Sequence, residues 1–272
     1  MTPYVFVIDI DGTLIGDISP QVMMYDIVQE VKRLKQNIAS FDSNDLLQKL
    51  KLGIIRPHFL EFVESVKKLY QAELFIYTAS QTKWALFLVK IIEKALGITF
   101  NRPIFTRKDC VTINNEFKKS LKNISGRICT CLRKKYEGLK VKDLDGKILM
   151  IDNNPVLVEK EEDCLVLCPT YNFRYPENIP ARLRTDIFEK NHKFIHDTMS
   201  KYINNMPLTS NFIRFQKYYY QMYIDEISEM KNKQNDTFWL RLRDVLVKKS
   251  FPVFDRKTVA YINKAERMSR QH

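Results

Sequence analysis

The 272-residue sequence predicts an α/β fold, namely an open Rossmann-like parallel sheet of five strands with small helical insertions and a helical C-terminal extension. Short apolar segments alternate with stretches in which apolar residues recur three and four positions apart. The apolar segments are mostly continuous, which is typical of parallel strands covered on both faces. The predicted strands are YVFVIDI (4–10), LFIYTA (74–79), PIFTR (103–107), KILMID (147–152) and CLVLC (164–168).

The segments between these strands supply the predicted helices. FLEFVESVKKLY (59–70) and WALFLVKIIEKALG (84–97) have helical spacing, and the second ends at a glycine, a common helix terminator. Residues 19–53 contain two further predicted helices, and residues 110–140 are rich in lysine and arginine. Both insertions follow strand ends, where insertions line the mouth of a ligand site in this architecture.

The alternating pattern ends near residue 170. We therefore predict a core over residues 1–170, with residues 19–53 as a candidate small cap insertion. Residues 171–272 are predicted to be a basic helical region that packs on the core or is appended to it.

The net charge of +12 suits an anionic partner such as a phosphate-rich substrate, nucleic acid or an acidic tail. The alternative is an ordinary solvated basic surface. In the C-terminal region, the tyrosine-rich run 218–223 lies beside Arg214 and Lys217 and could stack nucleic-acid bases. An aromatic stripe on a helix more often serves packing, so both interpretations stay open.

Compartment signals are consistent with an intracellular protein, either cytoplasmic or nuclear. No window approaches the roughly 18 consecutive apolar residues of a membrane span, so no membrane association is predicted. The start MTPYVFVIDI lacks the features of a secretion signal and is interpreted as a mature intracellular N-terminus. Five cysteines in a long chain fit a reducing compartment, and their pairs lack zinc spacing.

The segment VFVIDIDGTLIGD (5–17) carries the strongest chemical signal. Asp9 and Asp11 are two residues apart, so their side chains project to the same face at the carboxyl end of a strand. Gly12 permits a tight exit close to a ligand. Neighbouring carboxylates repel each other unless a cation lies between them, and Mg²⁺ prefers such oxygen ligands.

Two further strand ends carry matching chemistry. YTAS places Thr78 and Ser80 hydroxyls and backbone N–H groups at a helix start, which suits phosphate oxygens. IDNNP places Asp152 and Asn153 at the same edge, where a carboxylate can complete a Mg²⁺ site. KVKDLDGK (140–147) can supply a lysine. Each piece alone could be a cap, a turn or a solvated side chain, but together they predict a site for phosphate and Mg²⁺.

These motifs resemble the haloacid dehalogenase superfamily, and within it the carboxy-terminal-domain phosphatases (the Fcp/Scp or NLI-interacting-factor-like group). The resemblance covers roughly residues 4–170. One departure is that Gly12 stands where the group usually has an acidic residue. The segments that carry the resemblance are DIDGT (9–13), IRPHFLEFVESVKKLYQAELFIYTASQTKWA (55–85), FTRKDC (105–110), VKDL (141–144) and ILMIDNNP (148–155).

The resemblance implies the roles of individual residues. It makes Asp9 the nucleophile that forms an aspartyl-phosphate, and Asp11 the acid that protonates the leaving group. The implied Mg²⁺ ligands are Asp9, the main-chain carbonyl of Asp11, and Asp152. The implied phosphate-binding residues are Thr78, Ala79 and Lys142, with Lys140 and Lys147 as rivals for the lysine. The implied supporting residues are Gly12, Thr13 and Asn153.

Three functions remain as hypotheses. The leading one is a Mg²⁺-dependent phosphoric monoester hydrolase acting on phosphoserine or phosphothreonine in a protein. The second is a phosphatase of nucleic-acid ends or nucleotides, which the positive charge favours. The third is a non-catalytic binding or scaffold module on the same fold. The substrate's identity and the oligomeric state stay open.

Overall fold

The computed structural model describes residues 2–36, 38, 41–203, 206–230 and 235–268. The chain divides into two compact units, each assembled from separate stretches of sequence. We call them the sheet unit (Met1–Gly16, Ile55–Asn172 and Asn235–His272) and the helical unit (Asp17–Ile54 and Phe173–Gln234). None of the described helices is both long and apolar enough to cross a bilayer.

The sheet unit contains the strands of the described chain. These are β1 (Val5–Ile8), β2 (Glu73–Ile76), β3 (Val111–Ile113), β4 (Glu116–Lys118), β5 (Ile148–Asp152) and β6 (Leu165–Leu167). Four of them form a parallel sheet in the order β2-β1-β5-β6. β1 is central and wholly buried, as its continuous apolar sequence predicts. Because all four strands are parallel, their carboxyl ends share one edge, and the predicted α/β class is confirmed.

The prediction of a fifth strand at PIFTR is wrong. Only Phe105 joins the sheet, as an isolated parallel bridge with Tyr77. The backbone N–H of Phe105 donates to the Ile76 carbonyl at 3.0 Å, and that of Thr78 donates to the Phe105 carbonyl at 3.0 Å. Pro103, two residues earlier, has no N–H to donate, so regular pairing cannot extend through it.

Helices account for most of the remaining structure. They are α1 (Ser19–Arg33), α2 (Ser43–Lys49), α3 (Phe59–Tyr70), α4 (Thr82–Leu96), α5 (Leu121–Leu132), α6 (Ile179–Arg182), α7 (Thr185–Met199), α8 (Phe212–Met230), α9 (Phe238–Lys249) and α10 (Arg256–Met268). The predicted stop of α4 is present, since Gly97 adopts φ +68° and its N–H donates to the Glu93 carbonyl.

The last two helices belong to the sheet unit. Trp239 of α9 packs against the rings of Phe59 and Phe62 in α3, at centroid distances of 5.0 and 4.8 Å. Asn263 of α10 accepts from the backbone N–H of Leu167 and donates to the carbonyl of Leu165, which satisfies polar groups of β6. Residues 235–268 thus group with the sheet unit, whereas the sequence predicts one helical region over residues 171–272.

The helical unit combines α1 and α2 with α6, α7 and α8, so residues 19–53 share it with residues 173–230. Its core includes Ile27 of α1 and Ile195 of α7, both wholly buried. The rings of Phe188 and Phe215 stack at 4.4 Å. Within the predicted base-stacking run, Tyr219 is buried against Phe215, so part of that stripe serves packing.

A buried arginine ties the C-terminal helices to the sheet unit. The Arg56 side chain is fully buried and donates two hydrogen bonds to the carboxylate of Asp236, at 2.9 and 2.8 Å. Its guanidinium also lies over the Phe238 ring, 4.5 Å from the centroid. Burial acts to raise the pKa of Asp236, but its hydrogen bonds and charge pairing with Arg56 outweigh burial and lower the pKa.

We predict that Asp236→Asn lowers the free energy of unfolding by about 2 to 3 kcal/mol near neutral pH, because it leaves a buried guanidinium without its counter-ion. Since the folded-state pKa is lowered, the wild-type advantage should be constant above about pH 5 and disappear as the pH falls below about pH 4. Urea denaturation across this range measures it. Asp244→Asn, at an exposed ion pair in the following helix α9, is the matched control and should change stability little. Equal effects of the two substitutions would contradict the prediction.

Candidate active site

The first predicted motif forms a tight loop directly after β1. Asp9 is 5% exposed, and its backbone N–H still pairs with the Ile151 carbonyl at 3.0 Å. Gly12 adopts φ +77°, and a Cβ at this position would lie 2.7 Å from Nδ2 of Asn153. Both the positive φ and the close approach require glycine. The loop can therefore run against the end of β5.

Thr13 and Asn153 connect this loop to the IDNNP segment. The buried Thr13 hydroxyl donates to Oδ1 of Asn153 at 3.2 Å and accepts from the Asn153 backbone N–H at 3.0 Å. Nδ2 of Asn153 donates to the Thr170 hydroxyl at 3.2 Å. The structure thus brings together Gly12, Thr13 and Asn153, the three residues predicted to support the site.

A buried lysine lies between the carboxylates of Asp9 and Asp152. Nζ of Lys119 donates to Oδ1 of Asp9 at 2.6 Å and to Oδ2 of Asp152 at 2.8 Å. Lys119 is 2% exposed and Asp152 is 1% exposed. The other oxygen of Asp152 accepts from the Asn154 backbone N–H at 2.9 Å. A buried ammonium with two carboxylate partners holds the ends of β1 and β5 in a fixed geometry.

The backbone around Lys119 explains how it reaches this position. Its N–H donates to the Val156 carbonyl at 2.7 Å, and its carbonyl accepts from the Val158 N–H at 3.0 Å. The next residue, Ser120, caps α5 by accepting from the Asn123 N–H. The backbone of Lys119 is thus held in place between the end of β4 and the start of α5.

Electrostatics in this cluster favour a bound cation. Burial raises the pKa of Asp9 from 3.8 to about 7; Lys119 opposes the rise, while the carboxylates of Asp152 and Asp11 add to it. Burial would lower the pKa of Lys119, but attraction by Asp9 and Asp152 outweighs burial and raises it. Lys119 contacts Asp9 and Asp152, and the carboxylate of Asp11 also acts on Asp9, so carboxylates outnumber the contacting ammonium group among these described residues.

Asp11 contacts the YTAS loop, which follows β2. Its Oδ2 accepts from the Ser80 hydroxyl at 2.8 Å, and the Thr78 hydroxyl lies 3.5 Å away. The Thr78 hydroxyl also accepts from the Ser80 N–H at 3.1 Å. The carbonyl of Ala79 accepts from Nε of Arg107 at 2.7 Å. The loop leads into α4, so the predicted phosphate-binding residues Thr78 and Ala79 lie at a helix start beside Asp11.

The three lysines considered in KVKDLDGK lie elsewhere. Lys142 is exposed in a 3₁₀ turn, Val141–Leu144, and Lys140 is exposed just before it. Lys147 precedes β5, at the opposite end of the strand from Asp152, and donates to the Tyr4 hydroxyl and the Pro252 carbonyl. The placement predicted for Lys142 is therefore wrong, because the lysine that contacts the aspartates is Lys119.

The sequence contained a signal for Lys119 that the motif comparison missed. Asn114 and Asn115 both adopt positive φ, at 51° and 62°, and form the turn between β3 and β4. An Asn-Asn pair between short β-prone runs indicates a hairpin. Recognising it would have placed Lys119 at the end of a strand. Which of the nearby lysines reaches the aspartates, however, depends on the backbone pairing of Lys119 with residues 156–158, which the local sequence does not reveal.

The donor set fits a magnesium ion. Among the described residues, no group of three His, Cys, Asp or Glu side chains forms a ready-made metal site. Mg²⁺ is commonly held by one or two carboxylates, with water and substrate phosphate completing its coordination. Asp9 and Asp152 provide two such carboxylates on either side of one ammonium group, and the excess negative charge suits a divalent cation.

Comparison with known proteins assigns the family. The family model for NLI interacting factor-like phosphatases matches residues 4–198. The chain belongs to this family. The family predicted from the motifs is thus confirmed, and the match agrees with the predicted enzyme class, a phosphatase. A search of curated proteins finds no significant match.

The solved structures that are similar to the chain include two of Fcp1. One is a variant of the fission yeast RNA polymerase II CTD phosphatase Fcp1 bound to beryllium fluoride, with 17% identity and a TM-score of 0.45 over 99% of this chain. The other is Fcp1, described as an essential RNA polymerase II CTD phosphatase, with 16% identity and a TM-score of 0.38 over 96% of this chain. The chain spans 66% and 70% of those two chains, respectively.

We predict that Lys119→Met lowers the free energy of unfolding by about 3 kcal/mol in metal-free buffer, because buried Asp9 and Asp152 lose their counter-ion. The matched control, Lys142→Met, removes an exposed lysine and should change stability by less than about 0.5 kcal/mol. Urea denaturation with a chelator present gives both values. If Lys142→Met proved as damaging as Lys119→Met, the assignment of Lys119 to this site would fail.

Proposed function

We propose that this chain is a Mg²⁺-dependent phosphatase that works through an aspartyl-phosphate on Asp9 and acts on phosphoserine or phosphothreonine in a protein. The main supporting observation is the contact of Lys119 with both Asp9 and Asp152, in a member of a phosphatase family. Nucleophile, counter-ion and second carboxylate share one edge of the sheet, next to the loop that contacts Asp11.

Asp9 is the nucleophile of the first step. Its carboxylate oxygen attacks phosphorus, so that an oxygen–phosphorus bond to Asp9 forms as the bond to the leaving oxygen breaks. The raised pKa of Asp9 shows that ionisation is costly in its buried position. Lys119 offsets part of that cost. Mg²⁺, when held by Asp9, Asp152 and the Asp11 main-chain carbonyl, would neutralise further charge as carboxylate and phosphate meet.

Asp11 is the acid and base of the two steps. In the first it gives a proton to the leaving oxygen, and in the second it takes a proton from the water that hydrolyses the aspartyl-phosphate. Its hydrogen bond from the Ser80 hydroxyl holds the carboxyl group at a defined position. A second acid beside the nucleophile favours hydrolysis over a long-lived phosphoenzyme.

The transferring oxygens are held by Lys119, the Thr78 hydroxyl and the backbone at Ala79. The role that resemblance implied for Lys142 is assigned here to Lys119, because only the latter contacts Asp9 in the structure. These donors stand ready before reaction, so they can stabilise the charge that develops on the transferring phosphoryl group.

A phosphatase of nucleic-acid ends is the second candidate. Tyr220 of α8 is 58% exposed beside the exposed Lys217, which is a combination able to contact single-stranded nucleic acid. The scaffold hypothesis is disfavoured because Asp9, the residue whose loss would abolish the proposed chemistry, is present and contacts Lys119.

We predict hydrolysis of para-nitrophenyl phosphate that requires Mg²⁺ and falls by at least about 1,000-fold in Asp9→Asn, since the variant lacks the nucleophile. Turnover with Mg²⁺ and with a chelator measures both effects. Asp145→Asn removes an exposed acid and serves as the matched control. Metal-independent turnover, or full activity in Asp9→Asn, would contradict the mechanism. A folded, inactive wild type would return the scaffold hypothesis to the lead.

We also predict that a phosphoserine peptide is hydrolysed with a higher kcat/KM than a 3′-phosphorylated oligonucleotide. Between about 50 and 200 mM salt, peptide turnover should change by less than about threefold, because few ion pairs form with a short peptide. An oligonucleotide held through many phosphates loses orders of magnitude over that range. Steady-state kinetics on both substrates decides it. The reverse preference, with a steep salt dependence, would favour the nucleic-acid candidate.

A further inference from the structure

The β3–β4 hairpin exposes two large apolar side chains. Ile113 is 44% exposed and Phe117 is 45% exposed. The hairpin has only three paired positions, and its residues 111–118 are exposed or half-buried throughout. Single exposed apolar side chains are common on protein surfaces, so what matters here is what each of the two lies against.

The two side chains lie on opposite faces of the hairpin. Phe117 pairs with Thr112, and Ile113 pairs with Glu116, so Phe117 and Ile113 project in opposite directions. Lys119 follows Phe117 by two residues and continues in extended conformation through its bridge to Leu157. Phe117 therefore shares a face with Lys119, which reaches Asp9. Their Cα atoms are about 7 Å apart along the strand.

Arg107 links Phe117 to the candidate phosphate loop. Its guanidinium lies over the Phe117 ring, 5.1 Å from the centroid, and its Nε donates to the Ala79 carbonyl at 2.7 Å. Its backbone N–H also donates to the Ser80 carbonyl at 3.1 Å. Arg107 and Phe117, here called the platform, thus form a flat apolar and cationic surface anchored to that loop.

We infer that the platform binds the residues that flank the phosphoamino acid in a phosphorylated peptide, and that it favours a large apolar side chain next to that residue. The inference rests on the proposed function and extends it to substrate selection. The aromatic face supplies apolar contact, and the guanidinium and the exposed Lys108 supply positive charge near a phosphorylated chain. An extended peptide advances about 3.4 Å per residue, so the platform falls within a few residues of the reacting phosphate.

The same surface suits nucleic acid less well. Proteins that bind single-stranded nucleic acid without sequence preference usually hold it with successive aromatic side chains along a basic groove. Within the described hairpin, Phe117 is the one aromatic residue, so this surface does not offer a row of successive aromatic side chains. A peptide is therefore the occupant that the observations favour.

The test uses the 272-residue chain and two acidic host peptides of alanine and glutamate, each with one central phosphoserine. One has leucine on both sides of the phosphoserine and the other has glycine. For the wild type we expect kcat/KM for the leucine peptide to exceed that for the glycine peptide by about tenfold, as burial of part of an apolar side chain predicts. In Phe117→Ala the ratio should fall to near one.

Ile113→Ala is the matched control, because it removes an equally exposed apolar side chain from the opposite face; it should keep the wild-type ratio. A wild-type ratio near one, a ratio unchanged in Phe117→Ala, or an equal loss in both variants would overturn the inference. So would a loss in Phe117→Ala confined to a 3′-phosphorylated oligonucleotide, which would identify a nucleic-acid surface. Turnover of para-nitrophenyl phosphate by the wild type distinguishes a failure of the platform inference from a failure of the proposed phosphatase function. If this turnover is present but the ratio of kcat/KM values is not as expected, only the platform inference is refuted. If the turnover is absent, the proposed function fails too.

Discussion

The contact of one buried ammonium group with two buried carboxylates is the constraint on which this site depends. Burying each of these charges alone would cost several kcal/mol. Lys119, Asp9 and Asp152 can therefore stay charged and buried only because they pair with one another. The arrangement demands that the ends of β1 and β5 and the end of the hairpin meet within hydrogen-bond distance. Each of these backbone segments is in turn held by its own ladder or bridge.

The sheet unit maintains this geometry with contacts far along the sequence. The Tyr70 hydroxyl donates to the Leu246 carbonyl and accepts from the Phe251 N–H, both at 3.0 Å. Together with the Arg56–Asp236 pair, this fastens the segment after residue 235 to α3 and to the chain near the first motif. The last helices therefore act as part of the fold that carries the site, although they contain none of its predicted residues.

The helical unit is made of two stretches that interrupt the sheet unit, residues 17–54 and 173–234. The chain leaves the sheet unit after Gly16 and returns at Ile55, and Ile15 and Ile55 form an antiparallel bridge that joins the two ends. The Arg56 N–H also donates to the Leu14 carbonyl at 2.9 Å. Because residues 15 and 55 lie side by side, the segment inserted between them can be accommodated without a gap in the sheet unit. The helical unit has its own apolar core and a buried ion pair between Lys49 and Glu177.

Local sequence patterns were sufficient to predict the fold class, the cluster of Asp9, Asp11 and Asp152 at the carboxyl edge of the sheet, and the loop at Thr78. These follow from local patterns, since a continuous apolar run followed by polar residues marks a strand end, and parallel strands bring such ends to one edge. The identity of the site lysine, Lys119, became clear from the three-dimensional structure alone, because its position depends on pairing between residues far apart in sequence. The same holds for the single bridge formed by PIFTR and for the place of the last helices in the sheet unit. Which distant segments pack together is not visible in a local sequence pattern.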